Sequence, residues 1–307
     1  MTAYPKILVL DVGIAGPVSS MSSIPTAGKI LEITADGRQE RIVLSNQNKP
    51  DGIIFDPDTG RIFWTCMGKL GEQDGAVYSA NLDGSDIRSL TVQGDINTPK
   101  QLCMDHSARK LYICDREGAR VYRCNFDGSE METLISNSSP ESLESHPPDS
   151  TEWCVGIAVA PKFGKFYWTQ KGPPRGRKGR VFCANIAKNP ASEQAHDIIC
   201  IASQLSEPVD LEIDEASGML YWTDRGERPL GNSLSRMQLD EFGLPLQKCE
   251  VICQNFNEAI GVKLDVERGH IYITDMSGSI YRCNLDGQQK KKIYSQESRA
   301  LTGICLI

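Results

Sequence analysis

RIFWTC (61–66), KLYICD (110–115), KFYWTQ (165–170), MLYWTD (219–224) and HIYITD (270–275) are versions of one segment, and KILVLD (6–11) is a degraded sixth. Their last residues fall at 11, 66, 115, 170, 224 and 275, and the interval from the last copy round to the first is close to one more step. Self-similarity at such a period decides the fold before local propensity is consulted, because each repeat is one supersecondary unit that stacks on its neighbours.

Each copy sits in the same four-part frame. An apolar run ends in an acidic turn, such as GIIFDPDTG (52–60) or LEIDEASG (211–218), and the aromatic segment follows. Next comes a run ending at an Asp-Gly turn: VYSANLDG (77–84), VYRCNFDG (121–128) or IYRCNLDG (280–287). A last short run, such as IRSLTV (87–92) or KKIYS (291–295), completes the unit. The Asp-Gly pairs supply the positive φ of tight hairpins. Four β runs per unit, with almost no helical periodicity, predict the blades of a propeller. The expected fold is all-β, a single domain over 1–307 with six blades of four antiparallel strands. RALTGICLI (299–307) has the inner-strand pattern with no aromatic strand after it, and KILVLDV (6–12) has the second-strand pattern with no inner strand before it. The two are expected to share one blade and close the ring, removing an open edge.

The segment resembles the YWTD repeat of low-density-lipoprotein-receptor-type six-bladed propellers, and YWTD itself stands at Tyr221–Asp224. The resemblance covers nearly the whole chain. It implies that the motif Asp ties neighbouring blades together, a role for Asp11, Asp115, Asp224 and Asp275; Cys66 and Gln170 stand in its place in two copies. These aspartates therefore read as scaffold rather than as a site.

Composition narrows the function classes. The chain has 307 residues, 40% of them hydrophobic, with 33 Lys+Arg against 40 Asp+Glu and a net charge of −7. A nucleic-acid partner would need a basic stripe, which this balance argues against. No apolar run approaches the length of a membrane span. The opening MTAYPKILVLDVG carries one Lys before a short β-like run and no small-residue cleavage site, so it reads as no signal peptide. The eleven cysteines are odd in number, and Cys124 and Cys283 occupy a repeat position where Ala80 and Ala184 stand in other copies. They are expected to be reduced structural thiols of a cytoplasmic protein.

Insertions point to one working face. The turns joining first to second strands are short (DPDTG, DHSAR, PKFG, DEASG, DVERG), whereas connections at the other end run long, as in 12–28, 66–75, 136–153, 170–179 and 225–232. The loop at 187–196 is the exception. Scaffolds hold functional loops in this way. The inner strands begin Asp51-Gly52, Lys100-Gln101, Val155-Gly156, Val209-Asp210, Ile260-Gly261 and Thr302-Gly303. Gly at the second position suits close packing round a central channel, and Gln101 and Asp210 break that rule. Further along, Glu212 and Lys263 stand where other blades carry Ile54, Cys103, Ala158 and Cys305, and are expected to form a buried ion pair.

No GxSxG, HExxH, CxxC pair or P-loop occurs. Propeller lactonases hold Ca²⁺ with Glu, Asn and Asp at inner-strand starts, a set not matched here, so neither a metal nor another cofactor is expected. Free-standing YWTD-like propellers also resemble the fungal natural-product hetero-Diels–Alderases, which join a tropolone-derived quinone methide to a humulene-type sesquiterpene. The resemblance implies a cofactor-independent cycloaddition on two small molecules, one apolar and terpene-like, the other polar and polyketide-like. The alternatives are a metal-dependent lactone hydrolase and a protein-interaction platform. On the cycloaddition reading, Lys100 and Gln101 donate to a carbonyl-type oxygen, and Asp210 or Asp51 takes a proton. Thr302, Met67, His146, Trp153, Glu212 and Lys263 line the substrate pocket.

Overall fold

The computed structural model describes residues 5–14, 27–69, 71–137, 149–187 and 197–307. His146 lies outside them. In chain order, β1 (Lys6–Asp11), β2 (Gly28–Thr34) and β3 (Glu40–Gln47) are followed by β4 (Pro50–Asp56), β5 (Arg61–Cys66), β6 (Ala76–Asn81) and β7 (Arg88–Ser89). Then come β8 (Pro99–Asp105), β9 (Lys110–Asp115), β10 (Arg120–Asn125) and β11 (Glu132–Ser136), and β12 (Cys154–Ala160), β13 (Lys165–Gln170), β14 (Gly179–Asn185) and β15 (Ile199–Leu205). The last are β16 (Pro208–Asp214), β17 (Met219–Asp224), β18 (Ser233–Gln238), β19 (Glu250–Gln254), β20 (Ala259–Asp265), β21 (His270–Asp275), β22 (Ser279–Asn284), β23 (Lys291–Ser295) and β24 (Leu301–Leu306). They form six four-stranded antiparallel sheets, the blades of a propeller. Blade 1 has the order β24-β1-β2-β3, and blades 2 to 6 take the remaining strands four at a time.

Packing groups the chain into two compact units. Residues 1–99 with 257–307 hold blades 6, 1 and 2, and residues 100–256 hold blades 3, 4 and 5.

The expected closure is present within the first unit. β24 runs antiparallel to β1 with Ile7 opposite Leu306 and Val9 opposite Ile304. Backbone bonds Lys6 N–H to Ile307 O (3.1 Å) and Val12 N–H to Ala300 O (3.0 Å) extend the pairing.

Strand alternation builds the core between blades. On β13, Phe166 and Trp168 face blade 3 and pack with Tyr112, Val121 and Phe182, while Tyr167 on the opposite face packs with Leu211, Leu220 and Trp222 of blade 5. Trp168 stacks on Phe182 at 5.3 Å. Trp64, Trp168 and Trp222 are all fully buried, so the repeat's aromatic residues are packing residues.

The rest of the motif joins blade to blade. Asp224 accepts backbone N–H bonds from Ser206 (3.1 Å) and Glu207 (2.9 Å), which link β15 to β16, and from Gly226 (2.9 Å). Asp275 does the same with Asn257 (3.1 Å) and Ser279 (3.1 Å). The motif Thr has an equal share. Thr169 Oγ1 accepts from Gly156 N–H (2.8 Å) in its own blade and donates to Val209 O (2.8 Å) in the next. Thr274 accepts from Gly261 N–H (2.8 Å) and donates to Thr302 O.

That arrangement explains the inner-strand glycines. A Cβ on Gly156 would lie 1.9 Å from Val209 O, and one on Gly303 would lie 2.5 Å from Asp51 O. Glycine is required there by close backbone approach.

One strand is shorter than expected. The run 87–92 forms a two-residue strand, β7. Val92 N–H instead bonds the Asp95 carboxylate (2.8 Å) and Asp95 N–H bonds Val92 O (3.1 Å), turning the chain away from the sheet. All eleven cysteines are free thiols. Cys124 and Cys283 fill the same buried slot as Ala80 and Ala184.

Candidate functional site

The polar residues at the inner-strand starts are buried. In the first unit Asp51 is 1% exposed and Thr302 3%, and Thr302 Oγ1 donates to Pro50 O at 3.0 Å, which sets the two strand starts side by side. In the second unit Lys100, Gln101 and Asp210 are 8%, 3% and 7% exposed. Asp210 Oδ1 accepts the N–H of Leu211 (2.9 Å), and its own N–H bonds the motif hydroxyl of Thr223 (3.2 Å). Glu212 on β16 and Lys263 on β20 are each half-buried rather than fully buried.

At the long-connection end, the residue after five of the six motif copies makes a second kind of rung. Its backbone N–H bonds the carbonyl of the residue just before the inner strand: Met67 to Lys49 (3.0 Å), Lys171 to Trp153 (3.3 Å), Arg225 to Glu207 (3.0 Å), Met276 to Glu258 (3.2 Å) and Val12 to Ala300 (3.0 Å). In the first unit the residues after the motif copies are apolar. Val12, Met67 and Ala300 form one buried cluster against Ile14 and Met276.

In the second unit the same positions are cationic. Lys171 Nζ lies 2.5 Å from Glu207 Oε2, and Arg225 Nε lies 3.7 Å from the same oxygen. Trp153 receives two cations over its ring, Arg116 at 5.1 Å and Lys171 at 5.9 Å. Arg116 also pairs with Glu117. Burial, the largest influence, lowers the Lys171 ammonium below its usual range; Glu207 opposes this, and Arg225 and Arg116 add to it.

The sequence nominated Met67 and Trp153 from this set and missed Arg116, Lys171, Arg225 and Glu207. The signal was present: the residue after each motif copy reads Val12, Met67, Arg116, Lys171, Arg225, Met276 along the chain. An open cavity of about 350 Å³ lies at the other end of blade 1, lined by Pro5, Lys6, Thr34 and Gln39 among others, and none of the nominated residues borders it.

Curated relatives match the chain over nearly its whole length. It is 38% identical over 311 residues to the low-density lipoprotein receptor-related protein 1 of Pyricularia oryzae, covering 98% of both proteins. The chain belongs to the family of that protein. It is also 43% identical over 315 residues to the 3-hydroxyacyl-CoA dehydrogenase-like protein LAM1 of Cochliobolus heterostrophus, matching all of this chain but spanning only 65% of LAM1. No family model matches the chain. Among solved structures, a nidogen/laminin complex aligns with a TM-score of 0.72 at 16% identity, over 98% of this chain and 97% of that one. The calcium-binding protein regucalcin from Agrobacterium tumefaciens aligns with a TM-score of 0.57 at 18% identity, over 80% of this chain and 74% of that one. These likenesses are of fold. No helix among the described residues is long and apolar enough to cross a membrane.

Proposed function

We propose that this propeller is a small-molecule enzyme of fungal secondary metabolism, and that it catalyses a hetero-Diels–Alder addition of a tropolone-derived quinone methide to a sesquiterpene alkene. The observation that carries the reading is the burial of Lys100, Gln101, Asp210, Asp51 and Thr302 at inner-strand starts. Blades 4 and 6 build the same positions from Val155-Gly156 and Ile260-Gly261, so the fold has no need of charge there. Burying a charge is costly, and sites that break the scaffold's own rule are where function is expected.

In this reading Lys100 and Gln101 donate hydrogen bonds to the quinone-methide oxygen, stabilising the charge it gains as new C–O and C–C bonds form. Asp210 or Asp51 takes a hydroxyl proton from the precursor and delivers it to the alcohol oxygen, whose C–O bond breaks so that it leaves as water. Holding both reactants in a near-attack pose supplies up to roughly 7–11 kcal/mol without any cofactor. The test is direct. The protein, incubated with a quinone-methide precursor and humulene, should form one stereoisomer of the adduct faster than buffer does. Lys100→Ala and Asp210→Ala should each lower turnover by about 10²-fold with unchanged circular dichroism. Adduct formation at the buffer rate with wild-type protein would refute the reading.

A further inference from the structure

One cross-strand row of blade 6 departs from a pattern that other blades keep. Across the four strands of blade 5 the row reads Glu212, Tyr221, Arg236, Glu250. The same row of blade 6 reads Lys263, Tyr272, Arg282, Lys291, so both glutamates have become lysines. The contrast is sharpest on the two outer strands. Arg236 bonds Glu250 at 2.6 Å, and Arg123 bonds Glu132 of blade 3 at 2.7 Å. Blade 1 keeps the pair with its ends exchanged, Arg41 to Glu32 at 2.6 Å. Blade 6 instead sets the exposed Lys291 opposite Arg282. Like charges directly opposite one another destabilise a sheet, so the scaffold gains nothing from this lysine.

Two polar atoms on the same face are also unanswered. Tyr272 is fully buried and packs in one core with Ile33 and Ala35, so the row lies on the face that meets blade 1. Arg282 stands beside the Tyr272 hydroxyl, but a guanidinium only donates, and the buried hydroxyl hydrogen has no acceptor among the described residues. His270, two residues nearer the short turns, has a buried Nδ1 that likewise lacks a hydrogen-bond partner. Buried polar atoms of this kind call for a partner. The argument does not need the neighbouring cations to be bare: Asp265 pairs with Arg268 at 3.3 Å, and Lys263 and Arg282 have further contacts of their own. In blade 4 the matching hydroxyl of Tyr167 donates to Gly243 O (2.9 Å) in the next blade's outer hairpin. The matching hairpin of blade 1 turns at Gly37 against Ile293 O of β23, and the open cavity of about 350 Å³ borders it at Ala35 and Arg38.

We propose that the short-turn end of blade 6, on the face toward blade 1, binds a small organic carboxylic acid. Its carboxylate stands between Arg282 and Lys291, in the place glutamate fills in blades 3 and 5, and accepts the Tyr272 hydroxyl. The molecule's own repeat sets the ligand class: at this row position the partner of an arginine is a carboxylate, whose two oxygens suit the guanidinium fork. Arg282, Lys291 and Tyr272 have no part in the cycloaddition, and the site is defined by binding rather than turnover, so the two readings stand or fall separately.

Ligand-observed NMR titration of the whole protein at low ionic strength tests it, with propionate (the glutamate side chain detached), neutral propionamide and inorganic phosphate as probes. Propionate should bind saturably and at least about tenfold more tightly than propionamide or phosphate. Lys291→Glu, which installs the carboxylate that blades 3 and 5 carry, should abolish propionate binding and raise the melting temperature of the ligand-free protein. Tyr272→Phe should weaken propionate several-fold; if that variant fails to fold, the exposed Lys291→Glu carries the test. Arg175→Met, an exposed substitution in the second unit, should change nothing. No saturable binding of propionate, which would leave only ordered water at the two buried atoms, would overturn the proposal. So would equal affinity for propionamide or for phosphate, or unchanged propionate binding or a lowered melting temperature in Lys291→Glu. Lost activity in Lys100→Ala with intact propionate binding would leave it standing.

Discussion

At Thr169 a single hydroxyl serves two blades, accepting from Gly156 N–H and donating to Val209 O. In blade 3 Cys114 occupies the motif-Thr position, and its thiol donates to Gly156 O at 3.3 Å, one residue beyond the carbonyl that the motif threonines reach. Burial holds that thiol well above its ordinary pKa, which keeps it a donor. The motif Asp was legible as scaffold from the resemblance alone, whereas the threonine was not. Threonine is common in strands for its shape, and only backbone register reveals which carbonyl it meets. Asp224 yields a pH prediction. Burial outweighs its backbone hydrogen bonds and raises its pKa from 3.8 to about 6. Its folded-state pKa is thus the higher one, so the stability it contributes is fully present below 3.8 and is lost as pH rises through about 6. The melting-temperature gap between wild type and Asp224→Asn should therefore be widest near pH 4 and shrink toward pH 7. A gap that widens with pH would show that hydrogen bonding, not burial, dominates this carboxyl.

At the scale of elements, the strands were legible wherever side-chain alternation and Asp-Gly turns coincided. Gly84, Gly128 and Gly287 all take positive φ, and Asp83, Asp127 and Asp286 each accept the N–H two residues on. The outer strand β7 was not legible, because its length is set by the Asp95 turn rather than by its own apolar pattern. Of the nominated site residues, Asp51, Met67, Lys100, Gln101, Asp210 and Thr302 are buried and Trp153, Glu212 and Lys263 half-buried, and the cations over Trp153 come from residues no motif marks. A further contact joins blade 6 to blade 1. Arg299, just before β24, makes a bidentate pair with Glu40 of β3 (2.6 and 2.7 Å), and Tyr294 of β23 donates to the same carboxylate (2.6 Å). The Arg299 bond, then that of Tyr294, holds the Glu40 pKa below 4.5 against the opposing effect of burial. A depressed carboxylate contributes stability above its unfolded value and loses it as pH falls. Glu40→Gln should cost about 1 kcal/mol at pH 7, a modest figure because solvent screens the pair. Urea unfolding should show that cost shrinking as pH falls below 4.5; a cost independent of pH would mean the clasp acts through shape rather than charge.

At the scale of the molecule, the question is what the last strand contributes. β24 is an inner strand whose Leu301, Ile304 and Cys305 are at most 4% exposed. Leu301 and Ile304 belong to the core shared with blade 6, and Cys305 belongs to the core shared with blade 2. Its backbone receives the Thr274 hydroxyl at Thr302 O, and its Gly303 lies against Asp51 O. Removing it strips one flank of β1 of hydrogen bonds and opens two cores at once. Burial of Leu301 and Ile304 alone is worth roughly 3–6 kcal/mol, a large part of the about 5–15 kcal/mol that holds a domain folded. Deleting residues 300–307 should therefore yield insoluble protein. The expectation that 1–307 is one domain adds a sharper demand: proteolysis of the truncated chain should leave no protected fragment spanning 100–256, although that unit loses none of its own strands. Supplying the peptide ALTGICLI during refolding should recover soluble protein in proportion to peptide concentration, because it restores a missing strand rather than a missing charge. A monodisperse truncated chain would show that closure by the two ends is dispensable, and a stable 100–256 fragment would show that the two units fold on their own.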